Sequence, residues 1–265
     1  MNIVFIDACV SDRCFNALTA FDLAVIRMPA FAGLSAPIAS HPDIVSAVLP
    51  DGRLLVNDAY APMLEKAIGE GLSVIQEERG MKRKKETASP FPFFEAEGSP
   101  FVLTDERPSS PYPSDVLFDA LAVGDSLYGH PTATSRVLRE AYPRFVPTRQ
   151  GYARCSVAML SPTCAVTSDL ALGAQLRADG IEVLTIRPGH IRLPGYDTGF
   201  IGGAGGRLPD GRYAFFGDLM LHPDGEAIAA FAHAHKIKTV SLAAEPLSDN
   251  GGMVVLSART LRVLR

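Results

Sequence analysis

The sequence repeats one pattern along its length: an apolar strand, a turn, a second strand, an amphipathic helix and a third strand. The clearest copy starts at Val45, where VSAVL is followed by a Pro-Asp-Gly turn at 50–52, the strand LLVN and a helical segment. The third strand of this copy is predicted within GLSVIQ at 71–76. Such a repeat constrains the fold strongly, because each unit buries its apolar faces against its neighbours.

Further copies start near Asp115, Cys155 and Gly199. The remaining copy is divided between the two ends of the chain. NIVFIDACV and the residues after it predict a second strand, a helix and a third strand, and GGMVVL near the other end supplies the first strand. We therefore predict one α/β domain over residues 1–265. It is an α/β propeller of five pseudo-symmetric ββαβ units, closed by pairing of the N- and C-terminal segments, which removes exposed sheet edges.

One segment interrupts the repeat. Residues 77–114, between the units that start at Val45 and Asp115, contain the basic run MKRKK and a proline-rich stretch. A connection of this length is typical of either a mobile excursion or a functional lid. We predict a flexible insert here, with the lid as the alternative.

Composition excludes several classes of partner. The net charge is −4, with acidic and basic residues spread along the chain, so neither nucleic acid nor a membrane surface is an expected partner. The start MNIVFIDACV lacks the features of a signal peptide, and the apolar runs are shorter than the roughly 20 residues that span a bilayer. We predict a cytoplasmic protein, whose four cysteines are thiols because they form no C-x-x-C pair.

Polar residues lie where the strands of each unit begin or end, and in a closed propeller these positions converge on the axis. Acidic, histidine and cysteine residues predicted at the axis are Asp7, His41, Asp43, Asp58, Asp115, His130, Cys155, Asp169 and Asp218. Asn57 precedes Asp58, and Gly202 and Gly203 would let backbone and ligand approach closely. Arg154 is expected on the opposite face of the strand from Cys155, because side chains alternate along a strand.

Simpler structural roles compete with each functional interpretation. Four of the aspartates (Asp7, Asp58, Asp169 and Asp218) stand just before helices, where a short acidic side chain caps free backbone N–H groups. Cys155 fits a small buried apolar position equally well. His41 fits an exposed loop. A catalytic Cys155 requires a thiolate stabilised by a nearby cation, and His41 is the nearest candidate.

Metal and dinucleotide sites have no local motif in this sequence. It contains no H-x-x-x-H and no C-x-x-C, so a metal site would need ligands from distant segments. The glycines of GFIGGAGG lead into a strand, whereas a phosphate-binding loop leads into a helix. We therefore predict no metal and no cofactor.

Several motifs are similar to those of one superfamily. GYARCSV, the following TSD, PGHIRLPGYDTGFIGGAGG with FFGD, and LSDNGGMVVL resemble an uncharacterised bacterial family of the pentein superfamily of guanidino-group-modifying enzymes. That superfamily includes arginine and agmatine deiminases, dimethylarginine hydrolases and amidinotransferases. The resemblance implies a pentein fold and covers most of the chain outside the proline-rich insert.

The resemblance also implies a chemistry. His41-Pro42-Asp43 is similar to the His-x-Asp of the deiminases, and Gly251-Gly252 to their C-terminal Gly-Gly. Their cysteine follows that Gly-Gly, but the corresponding position here holds Leu256 or Ser257. Cys155, from another unit, is the replacement that we infer.

Two functions follow as hypotheses. The first is a hydrolase or transferase acting on a guanidino or amidino group of a small cationic metabolite. Cys155 would attack the planar carbon, His41 would protonate the leaving amine, and Asp43 would complete the catalytic set. The cation would be bound by Asp58, Asp169, Asp218, Asn57, Gly202 and Gly203. The alternative is a non-catalytic pentein-fold protein that binds such a metabolite.

Overall fold

The computed structural model describes residues 2–78 and 99–256, which form a mixed α/β structure with five three-stranded sheets. The strands in chain order are Ile3–Asp7 (β1), Ala24–Met28 (β2), Ser46–Val48 (β3), Leu54–Asn57 (β4), Phe101–Thr104 (β5), Leu121–Val123 (β6), Ser126–Gly129 (β7), Arg144–Pro147 (β8), Val157–Ser161 (β9), Cys164–Thr167 (β10), Glu182–Thr185 (β11), Gly205–Arg207 (β12), Tyr213–Phe215 (β13), Thr239–Ser241 (β14) and Val254–Leu256 (β15). The helices are Asp12–Thr19 (α1), Pro42–Val45 (α2), Ala61–Glu78 (α3), Arg136–Ala141 (α4), Leu170–Ala178 (α5) and Gly225–Ala234 (α6).

Each sheet has the same internal topology. In the sheet β3-β4-β5, the central strand β4 pairs antiparallel with β3 and parallel with β5. The antiparallel pair needs only a short turn, which Gly52 permits with a φ of +84°. The parallel pair needs a longer crossover, and α3 supplies it. The predicted strand-turn-strand-helix-strand unit is therefore confirmed as a three-stranded sheet with one crossover helix.

The divided copy is also confirmed. Strand β1 is the centre of its sheet, pairing parallel with β2 and antiparallel with β15. Val4 lies opposite Val255 in the antiparallel pair. The two most distant strands of the described chain therefore belong to one sheet.

The predicted boundaries of the long insert are wrong. Helix α3 continues to Glu78, so residues 71–76 are helical and the third strand of this unit is β5, inside the predicted insert. The helix extends because Leu64, Ile68 and Ile75 recur at helical spacing on the face that packs against the core. The basic run of the predicted insert lies in 79–98, outside the described residues.

The first strands of all five sheets share one space. A cavity of about 280 Å³ is lined by residues from each of them, including Val48 of β3, Leu121 of β6, Met159 of β9, Gly206 of β12 and Val255 of β15. The segments that precede these strands are therefore brought together in space. None of the helices within 2–78 and 99–256 has the length and apolar character needed to cross a bilayer.

Candidate functional site

Turns before the first strands meet next to this cavity. Asp119, Cys155, Gly203 and Gly252 each lie two residues ahead of their strand, and Asp43 lies three ahead, in α2. The N–H of Cys155 donates to Oδ1 of Asp119 (3.0 Å), and the N–H of Gly203 donates to the carbonyl of Cys155 (3.1 Å). The N–H of Gly252 in turn donates to the carbonyl of Gly203 (2.9 Å). Equivalent positions of different units thus form one connected site.

Cys155 lies at the centre of this site. Its Sγ is 2.7 Å from Oδ2 of Asp43, so the thiol donates a hydrogen bond to a carboxylate that is itself fully buried. Ligand atoms of His41, Cys155 and Asp249 lie within 4.8 Å of one another, and so do those of Asp43, Asp119 and Cys155. We call these five residues the axial cluster. All five are buried, with relative exposures of 3% or less.

Arg154 contributes the nearest guanidinium. Its Nη1 lies 3.1 Å from Oδ2 of Asp43, and its Nη1 and Nη2 also donate to the carbonyls of Gly251 and Met253. The prediction that Arg154 points away from the site is wrong. The reason is local: Cys155 lies in a turn and β9 begins only at Val157, so the alternation of a strand does not apply there.

Burial shifts the pKa values of the acids and of the thiol in this cluster upward. Burial raises the pKa of Asp43 to about 6, although the Arg154 guanidinium opposes that rise. Burial likewise raises the pKa of Asp249 to about 6 and the pKa of Asp119 well above its usual range. The pKa of the Cys155 thiol is raised well above its ordinary value by burial and then by Asp119 and Asp43. The expected cation-stabilised thiolate is therefore not the resting form.

Two carboxylate oxygens in the cluster have unused acceptor capacity. Oδ1 of Asp43 and Oδ2 of Asp119 are buried and have no hydrogen-bond partner among the described residues. A buried acceptor without a donor is costly, which makes both atoms suited to an incoming cation or N–H group. The cluster can therefore accept a positively charged ligand without first breaking bonds to these atoms.

Asp119 and Asp249 were missed by the sequence analysis. Both carboxylates also accept hydrogen bonds from the backbone. Asp119 accepts them from the N–H groups of Arg154 and Cys155, and Asp249 from those of Phe200 and Gly251. A signal was present for Asp119, because it stands two residues before the strand LAV just as Cys155 stands two before VAMLS. For Asp249, the available signal was its position directly before Asn-Gly-Gly and the next strand.

The predicted glycine pair does lie at the cluster. A Cβ on Gly202 would lie 2.5 and 2.6 Å from the carbonyl oxygens of Arg154 and Cys155, and a Cβ on Gly203 would overlap the carboxylate of Asp249. The space that these glycines leave is filled by the chain itself, so they permit the turns to pack closely.

Other predicted ligands of the cation are engaged locally. Asp58 pairs with Arg107 at 3.2 Å on the surface, and Asp169 caps α5 by accepting the N–H of Leu172. Asp218 accepts the N–H of Met220 in a short 3-10 turn. In the structure each of these three carboxylates satisfies local groups where its strand ends, by capping or by ion pairing, and none belongs to the axial cluster.

Two of the remaining predicted residues, Asn57 and His130, also make local contacts, whereas Asp7 lies beside the cluster. Asn57 accepts from the N–H of Ala59 and donates to the carbonyl of Glu106, a structural role in place of the predicted ligand contact. His130 binds the N–H of Ala133. Asp7 is different: it accepts a bond from Ser40 and lies 4.0 Å from Nε2 of His41, directly behind the cluster.

An aromatic row adjoins the cluster. The rings of Tyr112 and Tyr152 are 5.8 Å apart, and those of Tyr152 and Phe200 are 5.9 Å apart. Tyr152 donates to Asp115 (2.8 Å) and stands in the same turn as Cys155, while the N–H of Phe200 donates to Asp249. These side chains are partly exposed, so the row connects the buried cluster with the surface.

Comparison with known families gives one match. Residues 81–254 match DUF6873, described as a family of unknown function. The matched stretch contains Asp119, Cys155 and Asp249, and it begins after His41 and Asp43. No curated protein sequence matches the chain.

Proposed function

The chain belongs to the DUF6873 family, and we propose that it is a hydrolase or transferase acting on the guanidino or amidino carbon of a small cationic metabolite. The observation that carries the proposal is the contact of 2.7 Å between Cys155 Sγ and Asp43 Oδ2, with His41 in the same buried cluster. We further propose that the five sheets form a closed propeller of the pentein type, completed by the β1-β15 pair.

Recognition of the cation follows from the charge of the cluster. Asp43, Asp119 and Asp249 are buried together, and the guanidinium of Arg154 contacts one of them, Asp43. A guanidinium or amidinium presents several N–H donors in one plane, which matches the unpartnered oxygens of Asp43 and Asp119. Such a ligand would lower the raised pKa values of these carboxyl groups, so it should bind more tightly above pH 6 than below it.

The proposed reaction has two halves. The thiol proton passes to Oδ2 of Asp43, the thiolate forms a C–S bond to the planar carbon, and the C–N bond to the leaving amine breaks as His41 supplies its proton. Water or an acceptor amine then attacks the same carbon and returns a proton to His41. The C–S bond breaks, and the proton held by Asp43 restores the thiol. Asp119 and Asp249 bind the cation in this scheme.

A second candidate function is supported by the burial of the thiol. Cys155 is 2% exposed and its pKa is raised well above the ordinary value, which is typical of an unreactive buried cysteine. Catalysis requires that side chains around the buried thiol move to admit the substrate. A protein that binds a cationic metabolite without catalysis would use the same carboxylates and leave the thiol protonated.

A pair of alkylating reagents tests the proposal. A haloacetamidine carries the cation that the cluster should bind, whereas iodoacetamide is neutral and of similar size. We expect the amidine to label Cys155 faster, and we expect arginine or agmatine to protect it, as read by peptide mass spectrometry. Turnover is followed as release of ammonia, urea or an amine. Cys155→Ala should abolish it, and Cys164→Ala, which removes another buried thiol, should not.

The outcomes separate the two candidates. Ligand-induced thermal stabilisation without labelling or turnover would indicate the non-catalytic binder. Equal labelling by both reagents, with no stabilisation by any guanidino compound, would exclude both.

A further inference from the structure

We propose that the axial cluster is also a binding site for a thiophilic divalent ion, zinc(II) being the ion whose chemistry fits. The ligands would be His41, Cys155 and Asp249, with Asp43 as the fourth. The inference goes beyond the proposed function, because it rests on the donor set and needs no catalysis. Sequence analysis predicted no metal because these residues form no local motif, and the fold collects them from three separate segments, since His41 and Asp43 are two residues apart.

The distances suit a tetrahedral ion. Donor atoms of His41, Cys155 and Asp249 already lie within 4.8 Å of one another. Bonds of typical zinc length place tetrahedral donors about 3.4–3.6 Å apart, so these atoms must approach by no more than about 1.4 Å. Asp43 is the candidate for the fourth ligand, because its Oδ2 is 2.7 Å from Cys155 Sγ, the donor atom that the two groups of three have in common.

The required lone pairs are available. Oδ1 of Asp43 is buried without a hydrogen-bond partner among the described residues, which is the independent sign of a missing ligand. Each oxygen of Asp249 accepts one backbone N–H, which leaves it a second lone pair. Oδ2 of Asp7 lies 4.0 Å from Nε2 of His41, the place of an outer carboxylate that orients a ligating imidazole through its other nitrogen.

The charges also balance. The three negative charges of the thiolate and the two carboxylate ligands match the three positive charges of the ion and Arg154, with Asp119 outside this ligand set. Thiolate and imidazole ligands select zinc over magnesium or calcium, which prefer sites made only of oxygen. The ion would occupy carboxylate oxygens of Asp43 and Asp249 that a guanidino ligand would also use, so the two would compete for the cluster.

Metal binding by the whole chain tests the inference. Zinc(II) is titrated against a chromophoric chelator, and cobalt(II) is added to the metal-free protein to read the near-ultraviolet thiolate-to-cobalt absorption. We expect one equivalent of ion and a thiolate band. Cys155→Ala should abolish the band, and His41→Ala should weaken zinc binding by more than about 100-fold, since outer partners alone contribute 10–100-fold. Cys164→Ala should leave both readouts unchanged.

Two results would contradict the proposed zinc site. A thiolate band that persists in Cys155→Ala, or zinc binding by the wild type no tighter than by the folded His41→Ala variant, would overturn the inference. Circular dichroism and thermal melting check that each variant folds, and the cobalt spectrum of the wild type needs no variant. Turnover without zinc binding would contradict this inference and support the proposed function. Zinc binding without guanidino binding would support this inference and contradict the proposed function.

Discussion

Asp119 accepts the backbone N–H of Cys155 with one carboxylate oxygen, at 3.0 Å, while its other oxygen is buried without a hydrogen-bond partner among the described residues. One side chain therefore both fixes the turn that carries the thiol and opposes ionisation of that thiol. After burial, its charge is the largest cause of the raised pKa of Cys155. The thiol is therefore protonated in the resting site, and under the proposed function a bound cation would favour its ionisation.

Asp119→Asn separates these two roles. The amide oxygen keeps the bonds to the turn, and the lost charge lowers the pKa of the Cys155 thiol. We expect alkylation of Cys155 at a fixed pH near 8 to accelerate, since a lower pKa increases the fraction of thiolate. The rate is measured by peptide mass spectrometry. Asp58→Asn, at the surface, should leave it unchanged, and an equal acceleration there would contradict the account.

The carboxyl group of Asp249 should destabilise the fold as pH rises. Its pKa is about 6 in the folded protein and near 3.8 unfolded, so the folded state binds the extra proton between these values. Stability linked to this group is highest below pH 4 and is lost as pH rises through 6. The side chain of Asp249→Asn cannot ionise. Its free energy of unfolding should therefore rise by on the order of 3 kcal/mol relative to that of wild type as the pH goes from 4 to 7.

Denaturant unfolding of both proteins across that range measures this difference. The hydrogen bond that asparagine loses lowers stability at every pH, so only the change in the difference with pH is diagnostic. A constant difference would show that Asp249 titrates normally.

The glycine at 202 should tolerate no side chain. An added Cβ would meet the carbonyl oxygens of Arg154 and Cys155 at 2.5 and 2.6 Å, and backbone at a packed turn has little freedom to shift. We expect Gly202→Ala to cost about 2–3 kcal/mol of unfolding free energy. Gly69→Ala is the matched control, because that position is helical and has open space. It should stabilise by about 0.5–1 kcal/mol.

The corrected third strand makes a further testable contrast. Phe101 of β5 is 5% exposed within the core, whereas Val74, in the segment first expected to be a strand, lies on α3 and is 53% exposed. We expect Phe101→Ala to cost about 3–5 kcal/mol and Val74→Ala to change stability by less than about 0.5 kcal/mol. Thermal or denaturant unfolding measures both. A larger loss of stability in Val74→Ala than in Phe101→Ala would indicate that residues 71–76 form the third strand.

Local chemistry accounts for what could be predicted. Alternating apolar residues, the Pro-Asp-Gly turn at 50–52 and the helical spacing of each crossover are set within a few residues, so the five strand-helix-strand units were readable from the sequence. Cys155, His41 and Asp43 were also named, because the starts of the first strands could be placed. The extent of α3 could not be read, because its apolar spacing also fits a short strand after residue 70.

The choice of acids in the cluster was decided by the tertiary structure. Asp169 and Asp218 differ little in local sequence from Asp119 and Asp249, since all four stand at an end of a strand. Asp169 and Asp218 follow the second strands of their sheets and cap the turns that come next. Asp119 and Asp249 come before first strands, and the starts of the first strands lie close together in space. Sequence determined the units and their turns through short-range sterics and periodicity. Only the packing of the five units determined which side chains share a buried site, because that depends on register and turn direction between residues as distant in the chain as Asp43 and Cys155, 112 positions apart.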